Sequence, residues 1–298
     1  VAISRTEEQL EALRTGDPTE RLALVSLFAL RDPAAWPAFL AAHDAAAKAS
    51  MGESVYLGRV DRVLLGTASR FDWLAVDSFP SRELAAESLR LENPHARDAL
   101  EEALTLVVRP RALPGLALAL ARIAARLLGR GAGAPKRSVA DARLENPAIS
   151  PDPRALEAFL AAEPGRPLFM LNLNRHRERA QYGAGPSAAA GDARRAGTNG
   201  GSGAAAYARY GRNTLPFVLR RGRGPVFVGE PIGVAVGDPA HSLAGPWDEI
   251  LLVHYRERGG MLDMLTAAAY QAGIPHREAG LERAALIATS PTSEPKEV

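Results

Sequence analysis

Hydrophobic and polar positions alternate along this chain in two rhythms, one of strands and one of helices. Thr6-Glu7-Glu8-Gln9 reads as a helix start, with Thr6 as N-cap, Gln9 three residues on, and Leu10 and Leu13 as its apolar face. Residues 22–30 form an apolar run that reads as a strand, ended by Arg31-Asp32-Pro33. Residues 33–50 are Ala-rich with Trp36, Phe39 and Leu40 at helical spacing. Strands are predicted at 55–57 and 62–65 around Gly58, and again at 72–79. Ser81 caps a helix reaching about residue 91, with Glu83 in its first turn. A short helix or turn at 94–101 and a strand at 104–108 complete the set. A helix followed by β-α-β-β-α-β is the ferredoxin-like split βαβ order.

The pattern then repeats. Pro153 stands at a first helical position behind Asp152, and strands follow at 168–174, 226–228, 232–236, 248–255 and 284–289, with helices at 207–219 and 261–271. Identities recur at offsets that only grow along the chain. Leu10, Glu11, Ala12, Pro18 and Arg31 match Leu156, Glu157, Ala158, Pro164 and Arg177 at offset 146. Gly58, Val63 and Gly66 match Gly229, Val234 and Gly237 at 171; Asp72 and Arg82 match Asp248 and Arg258 at 176. Pro94-His95, Leu100, Glu101, Ala103 and Pro110 match Pro275-His276, Leu281, Glu282, Ala284 and Pro291 at 181. A collinear repeat predicts two copies of one fold packed on each other. The expected organisation is a degenerate ferredoxin-like copy at 1–110, a connector at 111–150, a motif-bearing copy at 151–291 and a tail at 292–298. The connector carries an amphipathic helix at 114–130, with Arg122, Arg126 and Arg130 along it, and a hinge at 131–136. That helix reads as a connector lying on the protein; a basic membrane-surface helix is the alternative. The growth in offset places an insertion around 183–206, which includes the run Gly197-Thr198-Asn199-Gly200-Gly201-Ser202-Gly203. It reads as a lid or a disordered loop.

With 298 residues, 47% of them hydrophobic and 23% charged, the chain has the make-up of a globular protein with room for two cores. A net charge of +2 gives no field for a polyanion, so nucleic acid is not an expected partner. Cysteine is absent, which excludes disulfides and thiolate chemistry and fits a cytoplasmic location. The start of the chain, with Glu7 and Glu8, does not read as a signal peptide, and no uncharged apolar run is long enough to span a membrane. No His-x-x-x-His and no carboxylate cluster has metal-ligand spacing.

The run Leu168-Phe169-Met170-Leu171-Asn172-Leu173-Asn174-Arg175-His176-Arg177 resembles the opening strand of a largely uncharacterised bacterial family in the dimeric α/β-barrel superfamily. Tyr207-Ala208-Arg209-Tyr210, Trp247-Asp248-Glu249, Tyr255, Tyr270-Gln271 and His276-Arg277 extend the resemblance over 153–291. The first copy departs from it, with Ser26, Phe28, Ala29, Leu30, Phe71 and Phe79 at the places of Asn172, Asn174, Arg175, His176, Trp247 and Tyr255. The resemblance implies an α+β fold: two ferredoxin-like repeats packed as an intramolecular, pseudo-dimeric α/β barrel, helices on one sheet face and a cavity against the other. It also implies monooxygenases, isomerases, cyclases or haem enzymes as relatives, so it locates a site better than it names a reaction.

Alternation places Phe169, Leu171 and Leu173 on one face and Met170, Asn172, Asn174 and His176 on the other. A helix-covered face is expected to be apolar, which assigns the Asn172 face, with Trp247, Glu249 and Tyr255, to the cavity. From the first copy, Trp73 and Asp77 are expected to complete its wall. On this reading His176 is an acid or base, Asn172 and Arg175 hold an oxyanion or carboxylate, and Glu249 shuttles a proton. Asn174, Trp247, Tyr255, His276, Trp73 and Asp77 contact substrate. The function expected is cofactor-independent proton transfer on an apolar or aromatic small molecule, by isomerisation, cyclisation or elimination, with oxygenation as a further option. Haem held by His176, His254 or His276 and a non-catalytic binding protein are the alternatives, and a homodimer is allowed.

Overall fold

The computed structural model describes residues 6–112, 139, 144, 146–182, 201–220 and 224–292. The expected connector helix at 114–130, the hinge at 131–136 and residues 183–200 of the insertion lie outside the described residues. The first half runs α1 (Glu7–Arg14), β1 (Leu22–Leu30), α2 (Trp36–Ala49), β2 (Glu53–Leu65), β3 (Trp73–Phe79), α3 (Arg82–Arg90), α4 (Ala96–Ala99) and β4 (Leu100–Pro110). The second half runs α5 (Pro153–Ala162), β5 (Leu168–His176), α6 (Gly203–Arg220), β6 (Pro225–Val236), β7 (Glu249–Tyr255), α7 (Arg258–Leu265), α8 (Ala268–Gln271), α9 (Ile274–Gly280) and β8 (Leu281–Pro291). Local chemistry sets the helix starts. Thr6 and Gln9 form a reciprocal capping box, and the Asp152 carboxylate accepts from the Ala155 N–H at 2.7 Å behind Pro153.

All eight strands close into one antiparallel barrel in the order β1-β3-β2-β8-β5-β7-β6-β4. Each half contributes the ferredoxin-like order, β4-β1-β3-β2 and β8-β5-β7-β6, and the halves meet at two seams, β2 with β8 and β4 with β6. The chain is therefore two ferredoxin-like units packed as an intramolecular, pseudo-dimeric α/β barrel. The seams share one register: Gly58 faces Pro291 as Gly229 faces Pro110, and Arg59 faces Ser290 as Glu230 faces Arg109. Even the bulges coincide, at Val60/Arg62 and Pro231/Gly233. Gly58 and Gly229 do not interrupt a strand, as the sequence suggests; each lies within one long strand. A Cβ there would stand 2.8 Å from the Ser290 carbonyl oxygen at one seam and 2.8 Å from that of Arg109 at the other. Gly66 and Gly237 end these strands at φ +105° and +97°, a left-handed conformation that favours glycine. Asp72 and Asp248 also share a task, accepting from the backbone N–H of Leu30 at 2.8 Å and of His176 at 2.7 Å.

The structure reverses the expected assignment of sheet faces. Phe169, Leu171, Leu173, Ile250 and Leu252 pack with Val25, Leu27, Leu74, Val76, Leu104 and Leu106 from the other half, so this face fills the barrel. The Asn172 face lies outward, under α5 to α9, where Leu168, Met170, Val253 and Tyr255 meet Leu156, Leu160, Met261 and Met264. The physical reason is enclosure. An amide turned into the shared interior would meet apolar side chains from both sheets, and an unpaired buried amide costs about 1–3 kcal/mol. On the outward face Asn174 meets the Tyr207 hydroxyl of the helix layer, and Asn172 reaches strand carbonyls. The barrel interior is thus a packed core, sealed at one level by Tyr56, whose hydroxyl meets the Thr289 hydroxyl at 2.6 Å and whose ring lies 4.7 Å from that of Phe169. Among the described residues no helix is long and apolar enough to cross a membrane.

Candidate functional site

With the barrel filled, the outer faces hold the polar side chains, and the two halves do so differently. In the first half, Trp36, Phe39, His43 and Ala47 occupy successive turns of one side of α2. Trp36, Phe39 and Ala47 are buried, and this side of the helix lies on the sheet. His43 Nε2 is 2.9 Å from Asp77 Oδ2 on β3, and the Asp77 side chain is 4% exposed. Phe28 stands edge-on to the His43 ring at 5.7 Å, while Phe39 stacks on it at 6.0 Å. The Ser26 and Thr105 hydroxyls, paired across β1 and β4, are 3.0 Å apart on the same floor. These groups line a cavity of about 630 Å³ walled by Leu24, Phe28, Phe39, Phe79 and Leu100. Burial opposes a charged His43 ring, but the hydrogen bond and the negative charge of Asp77, with Asp44 nearby, outweigh it and raise the pKa above the usual imidazole value. The pair therefore holds its proton more tightly than a free imidazole does.

In the second half, Asn174 at the end of β5 donates to the Tyr207 hydroxyl at 3.0 Å and to Glu249 Oε2 at 3.3 Å. The other Glu249 oxygen is 3.8 Å from Arg111, which follows β4 of the first half. The His176 ring lies 5.3 Å from that of Tyr207. Its Nε2 is buried with no hydrogen-bond partner among the described residues. Burial lowers the His176 pKa, helped by Arg111 and Arg175 and opposed by Glu249 and Asp248. Tyr207 and Tyr210 follow at one-turn spacing on α6, and the Tyr210 hydroxyl meets that of Tyr270 at 2.7 Å. Burial pushes the Tyr207, Tyr255 and Tyr270 hydroxyls up, so they remain protonated donors.

Of the residues singled out by sequence, Asn174, His176 and Glu249 come together here, and Tyr255 lies in the same helix layer. Asp77 belongs to the first-half cavity; Trp73 stacks on Trp36 at 4.9 Å and packs with Phe28 and Phe39. Asn172 donates to the backbone carbonyls of Met170 at 2.9 Å and Leu251 at 3.2 Å. Arg175 pairs with Asp248 at 2.7 Å at the strand end. Trp247 sits with the barrel core, its indole N–H donating to the Leu243 carbonyl at 2.9 Å and its ring facing Arg283 at 4.1 Å. His276 Nδ1 lies 2.8 Å from the Tyr182 hydroxyl, and burial with Arg209 and Arg212 lowers its pKa. Sequence reasoning passed over His43, Thr105 and Arg111. His43 had a readable signal, since it continues the Trp36, Phe39 stripe; Thr105 and Arg111 had none. Among the described residues no group of three or more His, Cys, Asp or Glu side chains is placed to hold a metal ion.

No family model matches the chain, and no curated protein matches it. Among solved structures it is similar to a protein of unknown function from Rhodopseudomonas palustris, with 28% identity over 49% of this chain and 97% of that one, at a TM-score of 0.40. An anthrone oxidase-like protein aligns at 9% identity over 92% of each chain with a TM-score of 0.42. A chlorite dismutase from Candidatus Nitrospira defluvii, in complex with imidazole, aligns at 12% identity over 94% of each chain with a TM-score of 0.43. Strand order and register define the class: a dimeric α/β-barrel fold closed within one chain.

Proposed function

We propose that this protein is a cofactor-independent enzyme that moves protons on an apolar or aromatic small molecule, and that the first-half cavity is where it does so. The supporting observation is the His43–Asp77 pair, a partly exposed imidazole on a buried carboxylate, in a cavity of about 630 Å³ with aromatic walls. Asp77 engages Nε2, so proton exchange with a bound molecule falls to Nδ1. With the His43 ring protonated, the pair acts first as the acid, protonating a carbonyl oxygen or a leaving group. The neutral imidazole then takes a proton from an adjacent carbon, which completes an isomerisation or elimination with no net proton change. Asp77 holds the tautomer and offsets the ring's positive charge. Of the paired Ser26 and Thr105 hydroxyls, one donates to the other, and the one that accepts keeps its proton free for the same oxygen.

The test is hydrogen exchange from D2O into a panel of aryl ketones, followed by proton NMR. Wild-type protein exchanges the acidic C–H positions, and His43→Gln and Asp77→Asn each slow this by about 100-fold or more. Binding without exchange would make the protein a non-catalytic binder. Loss of exchange in His176→Gln but not in His43→Gln would move the chemistry to the second half, the location favoured by sequence. One observation supports a haem reading instead. Of His176, His254 and His276, His176 has the ring nitrogen that is buried without a hydrogen-bond partner among the described residues. It would be the residue to hold the iron, and haem would supply redox chemistry there. A Soret band that disappears in His176→Ala is the signature.

A further inference from the structure

The β2–β8 seam carries a groove of about 540 Å³ between β2 and the helices α5 and α7. Four arginines line it, Arg59, Arg62, Arg166 and Arg258, with two carboxylates, Asp61 and Glu163. Both carboxylates are already engaged. Asp61 accepts from Arg166 at 3.0 Å, from Arg258 at 2.9 Å and from the Ser290 hydroxyl; Glu163 accepts from Arg166 and Arg258, each at 2.9 Å. Arg166 and Arg258 are thus balanced one for one. Arg59 and Arg62 are exposed and have no acidic partner among the described residues, which leaves the groove two positive charges in excess. Beside them lies an apolar strip of Val60, Ala158, Phe159 and Ala162.

The other seam is an internal control. The position equivalent to Arg59 is Glu230, which meets Arg109 at 3.3 Å and Arg111 at 3.9 Å, and the position equivalent to Arg62 is Gly233. Glu20 there pairs with both Arg82 and Arg109, and Glu249 lies 3.8 Å from Arg111, three carboxylates for three arginines. The same backbone seam therefore forms with its charges matched, and the unmatched arginines at β2 are not required to close the barrel. Two guanidinium groups beside an apolar strip suit a dianion with an apolar body.

We infer that the β2–β8 groove binds a phosphate monoester with an aromatic or aliphatic body, the phosphate on Arg59 and Arg62 and the body along Val60, Ala158 and Ala162. Calorimetric titration with phenyl phosphate, and with inorganic phosphate in parallel, tests this. Phenyl phosphate binds one to one and more tightly than inorganic phosphate, and Arg59→Ala/Arg62→Ala weakens it by about tenfold or more with an unchanged melting temperature. Arg59→Glu/Arg62→Gly, which copies the other seam, abolishes it. Absence of saturable heat up to about 10 mM phenyl phosphate, a range that covers millimolar affinity, overturns the inference. So does equal affinity in the double variant, which would place any binding elsewhere, including the His43 cavity.

Discussion

The outer faces of the two half-sheets use one backbone frame and put their polar groups at different places on it. In the first half the carboxylate is Asp77; its equivalent in the second half is Val253. In the second half the carboxylate is Glu249, and its equivalent in the first is Trp73. Phe28 likewise stands where Asn174 stands. The polar centre has moved by four residues along the strand, roughly 13 Å at about 3.3 Å per residue. The histidines differ to match. His43 has a carboxylate on its ring nitrogen and a raised pKa; His176 has no partner on Nε2 among the described residues and a lowered one. A repeated frame thus constrains the backbone, through its glycines and its strand-end aspartates, and leaves the chemistry of each helix-covered face free to diverge.

The seams give the largest test of how far that equivalence reaches. Arg258→Ala removes a buried guanidinium that meets both Asp61 and Glu163 and spans the halves; about 3–5 kcal/mol of stability should be lost, measured by urea denaturation. Arg82→Ala removes one carboxylate partner, Glu20, and a bond to the Leu13 carbonyl, so its loss should be smaller. Equal losses would mean that the ion pairs spanning the β2–β8 seam add nothing. A sharper test of the shared frame is Gly66→Ala against Gly237→Ala. At these φ values the new Cβ would lie 2.3 Å from the Ala285 Cβ or 2.4 Å from the Ala103 carbonyl oxygen. Each should cost about 1–3 kcal/mol, and a difference larger than that range would break the symmetry.

The histidines predict opposite pH behaviour. A pKa raised by folding means that the native state binds the extra proton. His43 therefore stabilises the fold below the unfolded imidazole value of about 6.5, and that contribution is lost as pH rises through its native value. For His176 the unfolded state binds more protons, so stability is present above about 6.5 and falls as pH drops through its native value. NMR titration of the ring protons should place one midpoint above 6.5 and the other below, assigned with His43→Gln and His176→Gln. Coincident midpoints would remove the contrast between the halves. The smallest effect concerns Arg175, whose ion pair with Asp248 is more than one-third exposed on both sides. Arg175→Ala should lose less than about 1 kcal/mol in the same denaturation assay. A loss several times larger would show that this strand-end pair does more than its exposure allows.

Much of the framework was legible in the chain. Alternation placed the strands, and the matching offsets paired Asp72 with Asp248, Gly66 with Gly237 and Arg82 with Arg258, all of which occupy equivalent positions. The sequence also showed which residues share a face, grouping Asn174, His176 and Glu249. It could not show which face turns inward, because a period of two is unchanged when the faces are exchanged. That choice was made when two sheets closed into one barrel and drove the drier face to the shared interior. Nor could it join His43 to Asp77, which lie on different elements and meet only when α2 packs across β3. Local order determined the elements and their pairing; closure and helix packing decided what each polar side chain touches, since hydrogen bonds and charges act over a few ångströms and the residues that make them are far apart along the chain.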